Sequence, residues 1–300
     1  MKYNWSIIGH KKQLEWIERD ISSDNLSHAY LLVGPNSVGK HTVAKKMAGI
    51  LQCGNDFCHQ CPTCLQVIKG SHVDTIEMKD NKESLKIEEI RALIERLSMT
   101  RQSKYKIVLI QSLERMTTEA ANSFLKILEE PPKKTIFIMT SNDVRALLPT
   151  IISRVRVFQF HRVSAKYLNE KLNELYPDVE ESLIKEVSLF SLGRTGKALQ
   201  LMENPDVLSD YIKIYNDIQN FLDHKNIVDR FLYVEDLLSE AVKIEVFLNL
   251  LKNVLRSKIL ERDSGFEKYL QTIDKIEETL ELLAKNVNAR LALENLMLKI

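Results

Sequence analysis

With 300 residues, the chain is long enough for two or three domains, each with its own core. Its 42 Lys and Arg are balanced by 41 Asp and Glu, and a formal charge of +1 excludes a strongly basic nucleic-acid binder while permitting a local patch. No apolar run approaches the roughly 18 residues of a membrane span. The opening MKYNWSIIGHKKQLEW lacks the basic start, apolar core and cleavage site of a signal peptide, so a cytoplasmic, non-membrane protein is expected.

In chain order, a helix is expected from about Lys11 to Ile21, with Leu14, Ile17 and Ile21 on one face. Ala29-Tyr30-Leu31-Leu32-Val33 reads as a buried strand, and helical character resumes after Lys40 and runs to about Gln52. Between them Gly34 to Lys40 spell G-x-x-x-x-G-K, the spacing of a loop that cradles phosphate. Such a loop uses glycines to turn backbone N–H groups inward, a helix N-terminus for its partial positive charge, and a lysine to neutralise the outer phosphates. Gly34, Gly39 and Lys40 are therefore the candidate nucleotide-binding residues. The next residue should carry a hydroxyl for Mg²⁺, but here it is His41. Thr42 comes one place late, and one place along a helix turns a side chain by about 100°.

All four cysteines follow at once, as Cys53-x4-Cys58-x2-Cys61-x2-Cys64. In a reducing compartment such clustering indicates metal rather than disulfides. Four thiolates would close a tetrahedral, structural Zn²⁺ shell, with the last three cysteines wrapped in a tight loop. An iron–sulfur cluster is the weaker reading, since the x3-Cys-Pro continuation of a ferredoxin run is missing. His59 and His72 are expected in turns or facing solvent rather than on the metal.

Val73 to Met78 suggests a second strand, Ile87–Leu97 a helix, and Lys106 to Ile110 a fully apolar strand. A helix from about Thr117 to Glu130 stops at Pro131-Pro132. Thr135–Thr140 is a further buried strand, Leu147–Arg154 a short helical stretch, and Arg156–Phe160 a last strand. Strands alternating with helices predict a parallel sheet covered on both faces. Beyond Ser164 the pattern is purely helical, with segments near 164–175, 180–192 and 195–203, a boundary at Asn204-Pro205, and about four longer helices in 207–300.

Hydrolysis of a nucleoside triphosphate needs an acidic pair at the end of the strand beside the phosphate loop. Here the residues after Ile110 are Gln111 and Ser112, neither a general base at neutral pH. Glu114 and Glu119 are expected to cap or solvate the following turn and helix. The metal hydroxyl, the metal carboxylate and the water-activating carboxylate are all missing, which argues against turnover. The loop permits phosphate binding without hydrolysis, and an empty loop is equally consistent. Arg91, Arg101, Lys104 and Lys106 are read as surface cations.

Several of these stretches together resemble clamp-loader subunits of the AAA+ class, and within them the delta-prime subunits of bacterial DNA polymerase III. The matching residues are Ile8-Gly9-His10, Ser27-His28-Ala29-Tyr30, the cysteine insertion, Ala120 through Leu128-Glu129-Glu130-Pro131-Pro132, and Leu148-Pro149-Thr150-Ile151-Ile152-Ser153-Arg154. The resemblance implies a RecA-like domain over 1–162 with a zinc insertion at 53–64, a helical lid over 163–206 and a helical collar over 207–300. It implies a subunit that does not hydrolyse ATP but supplies Arg154 in trans to a neighbouring motor subunit. Arg suits that reach, being always charged and presenting fixed donors. Motor subunits carry Thr, Asp-Glu and a lid arginine where this chain has His41, Gln111-Ser112 and, by alignment, Gly196. The implied assembly is a hetero-pentamer with motor (gamma/tau) subunits and a delta subunit, opening the sliding clamp on primed DNA, with ATP binding here possible but not required. A self-sufficient AAA+ ATPase with a degenerate site and a zinc-centred DNA-binding module are the competing readings.

Overall fold

Residues that alternate between two apolar layers organise the first 164 residues. In the computed structural model, which describes residues 2–223, 226–239, 241–260, 266–285 and 287–300, five strands form one parallel sheet. They are β1 (Ala29–Val33), β2 (Thr75–Met78), β3 (Lys106–Ile110), β4 (Thr135–Ser141) and β5 (Arg156–Gln159), in the spatial order β2-β3-β4-β1-β5. The register pairs Leu31 with Met139 on one side and with Val157 on the other. Every residue of β1, β3 and β4 is buried, as expected of strands covered on both faces.

Tyr30, Leu32, Ile107, Leu109, Ile136 and Ile138 point to one face, where α1 (Lys11–Ser22), α2 (Lys40–Gln52) and α3 (Pro62–Lys69) bring Leu14, Ile17, Val43, Met47 and Val67. Leu31, Val33, Val108, Ile110, Phe137 and Met139 point to the other. There α4 (Ile87–Ser98), α5 (Thr118–Glu129) and the short α6 (Pro149–Ile152) supply Ile90, Leu93, Phe124, Leu128 and Ile151. This period-two division locks the register, because a slip of one residue would exchange the two layers.

Two expectations need correction here. The cysteine-rich stretch is not all loop, since α3 begins directly after Cys61 with Pro62 in its first turn. Lys106 is not a surface cation: it is 5% exposed, and its Nζ donates to the carbonyls of Arg96, Leu97 and Met99 at 3.1, 3.2 and 2.6 Å. It closes the C-terminal end of α4, where unpaired carbonyls attract a cation.

Residues 1–164 and 194–196 form one unit, and residues 165–193 and 197–300 another. The second unit is helical: α7 (Ala165–Leu175), α8 (Glu181–Ser191), most of α9 (Thr195–Glu203), α10 (Pro205–Asp223), α11 (Ile227–Leu238), α12 (Ala241–Leu260), α13 (Phe266–Ala284) and α14 (Ala289–Met297). Its C-terminal part holds, among the described residues, four helices of 12 to 20 residues and the nine-residue α14, in line with the four or so longer helices expected. Phe190 of α8 packs against Tyr211 and Tyr215 of α10, with ring centroids 5.8 and 5.4 Å away. The buried Arg230 guanidinium donates to Met297 O and Phe221 O, tying the ends of α14 and α10 to α11.

Candidate phosphate-loop, cysteine and arginine sites

The chain leaves β1 at Gly34 and turns into α2 at Lys40, so the loop lies at the carboxyl ends of the central strands. Gly39 has φ +96°, a left-handed conformation that favours glycine. Gly34 is demanded for a different reason than a phosphate cradle. Its N–H continues the sheet to Ser141 O at 3.1 Å, and a Cβ there would stand 2.1 Å from Phe160 O. The backbone following β5 passes too close for any side chain.

Lys40 is only 7% exposed, and its Nζ donates to Gly34 O, Pro35 O and Asn142 Oδ1 at 2.6, 2.7 and 3.1 Å. Burial pulls its pKa down to about 8, with the Glu114 carboxylate pulling the other way. Glu114 is thus not a helix cap: its Oε1 accepts from Asn142 N at 3.1 Å, on the loop after β4.

His41 faces the ends of β2 and β3. Its Nε2 lies 3.3 Å from Glu77 Oε1 and 3.2 Å from Gln111 Nε2. Gln111 Nε2 also donates to Glu77 Oε1 at 3.4 Å, and Lys45 Nζ is 3.9 Å from Glu77 Oε2. Burial lowers the His41 pKa against the raising influence of Glu77, which favours the neutral ring. Ser112, at φ +51°, donates its N–H to Thr140 Oγ1 at 3.2 Å and its Oγ to Asp80 Oδ2 at 2.6 Å.

These groups enclose a pocket of about 290 Å³ lined by Asn36, Ser37, Gly39, Lys40, His41, Thr42, Asp80, Gln111, Ser112, Thr140, Asn142 and Gly196. Sequence reasoning missed Asp80 and Asn142, which follow β2 and β4 and reach the loop only through strand order. It also discounted Thr42, which shares the pocket wall with His41. Asp80 brings a carboxylate, but its oxygens are engaged by Ser112 Oγ, by Lys82 N at 2.8 Å and by Arg115 at 3.3 Å. Gly196 donates its N–H to Ser37 O at 2.8 Å, and a Cβ there would meet that oxygen at 2.9 Å. An arginine at 196 would therefore displace the segment from the loop.

Arg154 does not line this pocket. It follows α6, and its guanidinium donates from Nη1 to Thr150 O at 2.9 Å and Ser153 Oγ at 3.1 Å, and from Nη2 to Glu129 Oε1 at 2.8 Å.

The cysteines do converge. All four Sγ atoms lie within 4.8 Å of one another, with Cys53–Cys61 at 3.8, Cys58–Cys64 at 3.9 and Cys53–Cys58 at 4.0 Å. A tetrahedron of sulfurs around zinc has edges of about 3.8 Å, given Zn–S bonds near 2.3 Å. The donor set and spacing fit a zinc ion. Backbone N–H groups of Gln60 and Cys61 hold the Cys58 thiol down to about 6, toward the thiolate a metal needs, while burial pushes Cys64 up. Two local features set the loop's shape. The Phe57 ring lies where a Cβ on Gly49 of α2 would be, and Cys61 caps α3 by accepting from Cys64 N at 3.4 Å. His59 is exposed and packs on Phe57, with ring centroids 4.2 Å apart and the planes tilted by 43°. His72 is buried rather than solvent-facing, with Nδ1 3.1 Å from Thr75 Oγ1, and takes no part in the sulfur cluster.

Residues 9–164 match the family profile described as DNA polymerase III, delta subunit. The chain belongs to the DNA polymerase III delta-subunit family. The DNA polymerase III subunit delta' of Bacillus subtilis is 30% identical over 230 residues, covering 74% of this chain and 68% of that protein. The subunit gamma of Buchnera aphidicola from Acyrthosiphon pisum is 32% identical over 212 residues, covering 68% of this chain and 58% of that protein. The B. subtilis subunit tau is 25% identical over 309 residues, covering 95% and 54%. The chain thus spans somewhat more than half the length of these gamma and tau relatives. Gamma, tau and delta' relatives match at similar identity, so likeness establishes the family rather than one subunit type. A gamma subunit-related protein from Thermotoga maritima shares the fold, with TM-score 0.50 and 19% identity over 94% of this chain and 97% of that one. The phosphate loop, the cysteine cluster and Arg154 all fall inside the family match.

Proposed function

We propose that this chain is a non-hydrolysing, delta-prime-type stator of a DNA polymerase III clamp loader, acting in the cytoplasm. The observation that carries the reading is the His41–Glu77–Gln111 cluster, which stands where a hydrolysing loop needs a hydroxyl and free carboxylates on a metal. In this reading residues 1–162 are the RecA-like AAA+ domain, 53–64 its zinc insertion, 163–206 the lid and 207–300 the collar. Cys53, Cys58, Cys61 and Cys64 hold a structural Zn²⁺. Gly34, Gly39 and Lys40 form a loop that binds phosphate without turnover.

Arg154 is the residue that acts on a neighbour. Its guanidinium sits at the surface, outside the chain's own pocket, which suits donation in trans to the ATP held by a motor subunit. Partners are gamma/tau-type and delta subunits in a hetero-pentamer, with the sliding clamp and primed DNA reached through the complex. Asp80 favours the alternative of a self-sufficient ATPase, but its engagement by Arg115 and Ser112 leaves it poorly placed as a metal ligand.

The test is clamp- and DNA-stimulated ATPase activity of the reconstituted loader with Arg154→Ala in this chain. A loss of about tenfold or more in a complex that still assembles is expected, in line with the contribution of trans arginines. An unchanged rate would remove Arg154 from the mechanism, and turnover by the isolated chain that vanishes in Lys40→Ala would favour the self-sufficient ATPase.

A further inference from the structure

We infer that the phosphate-loop pocket takes a free polyphosphate anion, such as pyrophosphate or the diphosphate of a nucleotide, without a divalent cation. This deepens the reading of the loop given above and rests on it. The anion side of the site is intact. The backbone N–H groups of Gly39, Lys40, His41 and Thr42 have no acceptor among the described residues, and they open onto a pocket of about 290 Å³. The Lys40 ammonium is beside them, bonded to the loop carbonyls of Gly34 and Pro35 and to Asn142 Oδ1, which an entering phosphate oxygen can replace as partners, and attracted by the Glu114 carboxylate.

The cation side is filled by protein. A bound divalent ion needs several oxygen ligands at close range around one point. The His41 ring occupies the first position after the lysine and is fixed between Glu77 and Gln111. Glu77 is almost wholly buried and shares its two oxygens among His41, Gln111 and Lys45. Asp80, the one carboxylate among the described lining residues, is paired with Arg115 and bonded to Ser112 Oγ. Thr140 Oγ1 already accepts from Ser112 N. Among the described lining residues Lys40 is the cation that meets an entering anion, since Lys45 and Arg115 lie outside the pocket and are paired with Glu77 and Asp80.

Isothermal titration of the purified full chain with pyrophosphate and with ADP, each in magnesium-free buffer without chelator and in excess Mg²⁺, tests this directly. The expected result is saturable binding without Mg²⁺ that weakens severalfold or more in excess Mg²⁺, which sequesters the free anion, and that weakens at least about tenfold in Lys40→Ala. In His41→Ser, which restores the metal hydroxyl, the weakening by Mg²⁺ is expected to be smaller or reversed. Tighter binding of ADP than pyrophosphate would place a nucleoside in the site, and equal affinities would confine recognition to the phosphoryl groups; both support the inference. No saturable binding without Mg²⁺, or an affinity of the native sequence that Mg²⁺ leaves unchanged or raises, overturns it. Neither failure touches the loader assay with Arg154→Ala, so the two readings stand or fall separately.

Discussion

Arg154 and Glu129 are joined across 25 residues by a 2.8 Å hydrogen-bonded ion pair, from the end of α6 to the last residue of α5. The two side chains are 35% and 52% exposed, so the pair contributes less than about 1 kcal/mol to stability. If Arg154 serves a neighbour's phosphate, Glu129 competes with that phosphate for the guanidinium. Glu129→Gln should leave the melting temperature unchanged within about 2 °C and lower the loader's KM for ATP by up to about fivefold. A raised KM would instead make Glu129 a group that aims the arginine.

Zinc should be stoichiometric with the chain and integral to the first unit. Metal analysis is expected to find one Zn²⁺ per chain. Its removal by a strong chelator should lower the melting temperature by about 10 °C or more, because binding energy at such a site is folding energy. Cys64→Ser, which changes the most deeply buried ligand, should reproduce that loss. Full stability in the chelated protein would mean that packing of Phe57 on Gly49 holds the loop by itself.

Gly34→Ala should destabilise the chain by about 3 kcal/mol or more, read from urea midpoints, because its methyl group would overlap Phe160 O. Gly39→Ala meets nothing closer than 3.8 Å and carries only the left-handed backbone, a cost of about 1 kcal/mol. The two loop glycines should therefore separate cleanly, although sequence spacing gives them one role.

Lys106→Met keeps the buried stem but leaves three carbonyls at the end of α4 without their cation. A loss of about 2 kcal/mol in urea unfolding is expected. Nucleic-acid retention in a gel-shift titration should not change, since the ammonium is engaged by these three carbonyls.

Lys40 gives a pH signature. Its pKa is about 8 in the folded loop and returns to the ordinary lysine value of about 10.5 on unfolding. Between these values the unfolded chain holds a proton that the folded chain has released, so this side chain makes stability rise with pH through that window. In Lys40→Met the rise should be reduced, by about 3 kcal/mol across the window at most. An identical alkaline profile in the variant would show that the buried ammonium is not strained by its surroundings.

The strands at 29–33, 106–110 and 135–141 could be read from the sequence because each is apolar on both faces, a signature that needs no knowledge of neighbours. Helix α3 escaped, since its eight residues carry two of their identities as a cysteine ligand and an N-terminal proline, and too few remain to show a period. The cysteine spacing announced a metal site, but the closeness of the sulfurs depended on α3 fixing Cys61 and Cys64 and on Phe57 docking on α2.

By itself the sequence determined the alternating α/β architecture, the phosphate loop, the thiolate set, and the absence of a hydroxyl after Lys40 and of carboxylates after β3. Each of these is a local pattern, written in consecutive residues. Tertiary structure alone decided that Asp80 and Asn142 join the loop, that Glu77 and Gln111 clamp His41, that Lys106 is an internal cap, and that Gly34 answers to Phe160. The pocket partners lie on or just after separate strands, and only the order β2-β3-β4-β1-β5 and its register bring those carboxyl ends to one place, while Lys106 at the opposite end of β3 meets the end of α4. Side chains tens of residues apart carry no periodic trace of one another, so their meeting is a property of the sheet and not of any stretch of chain.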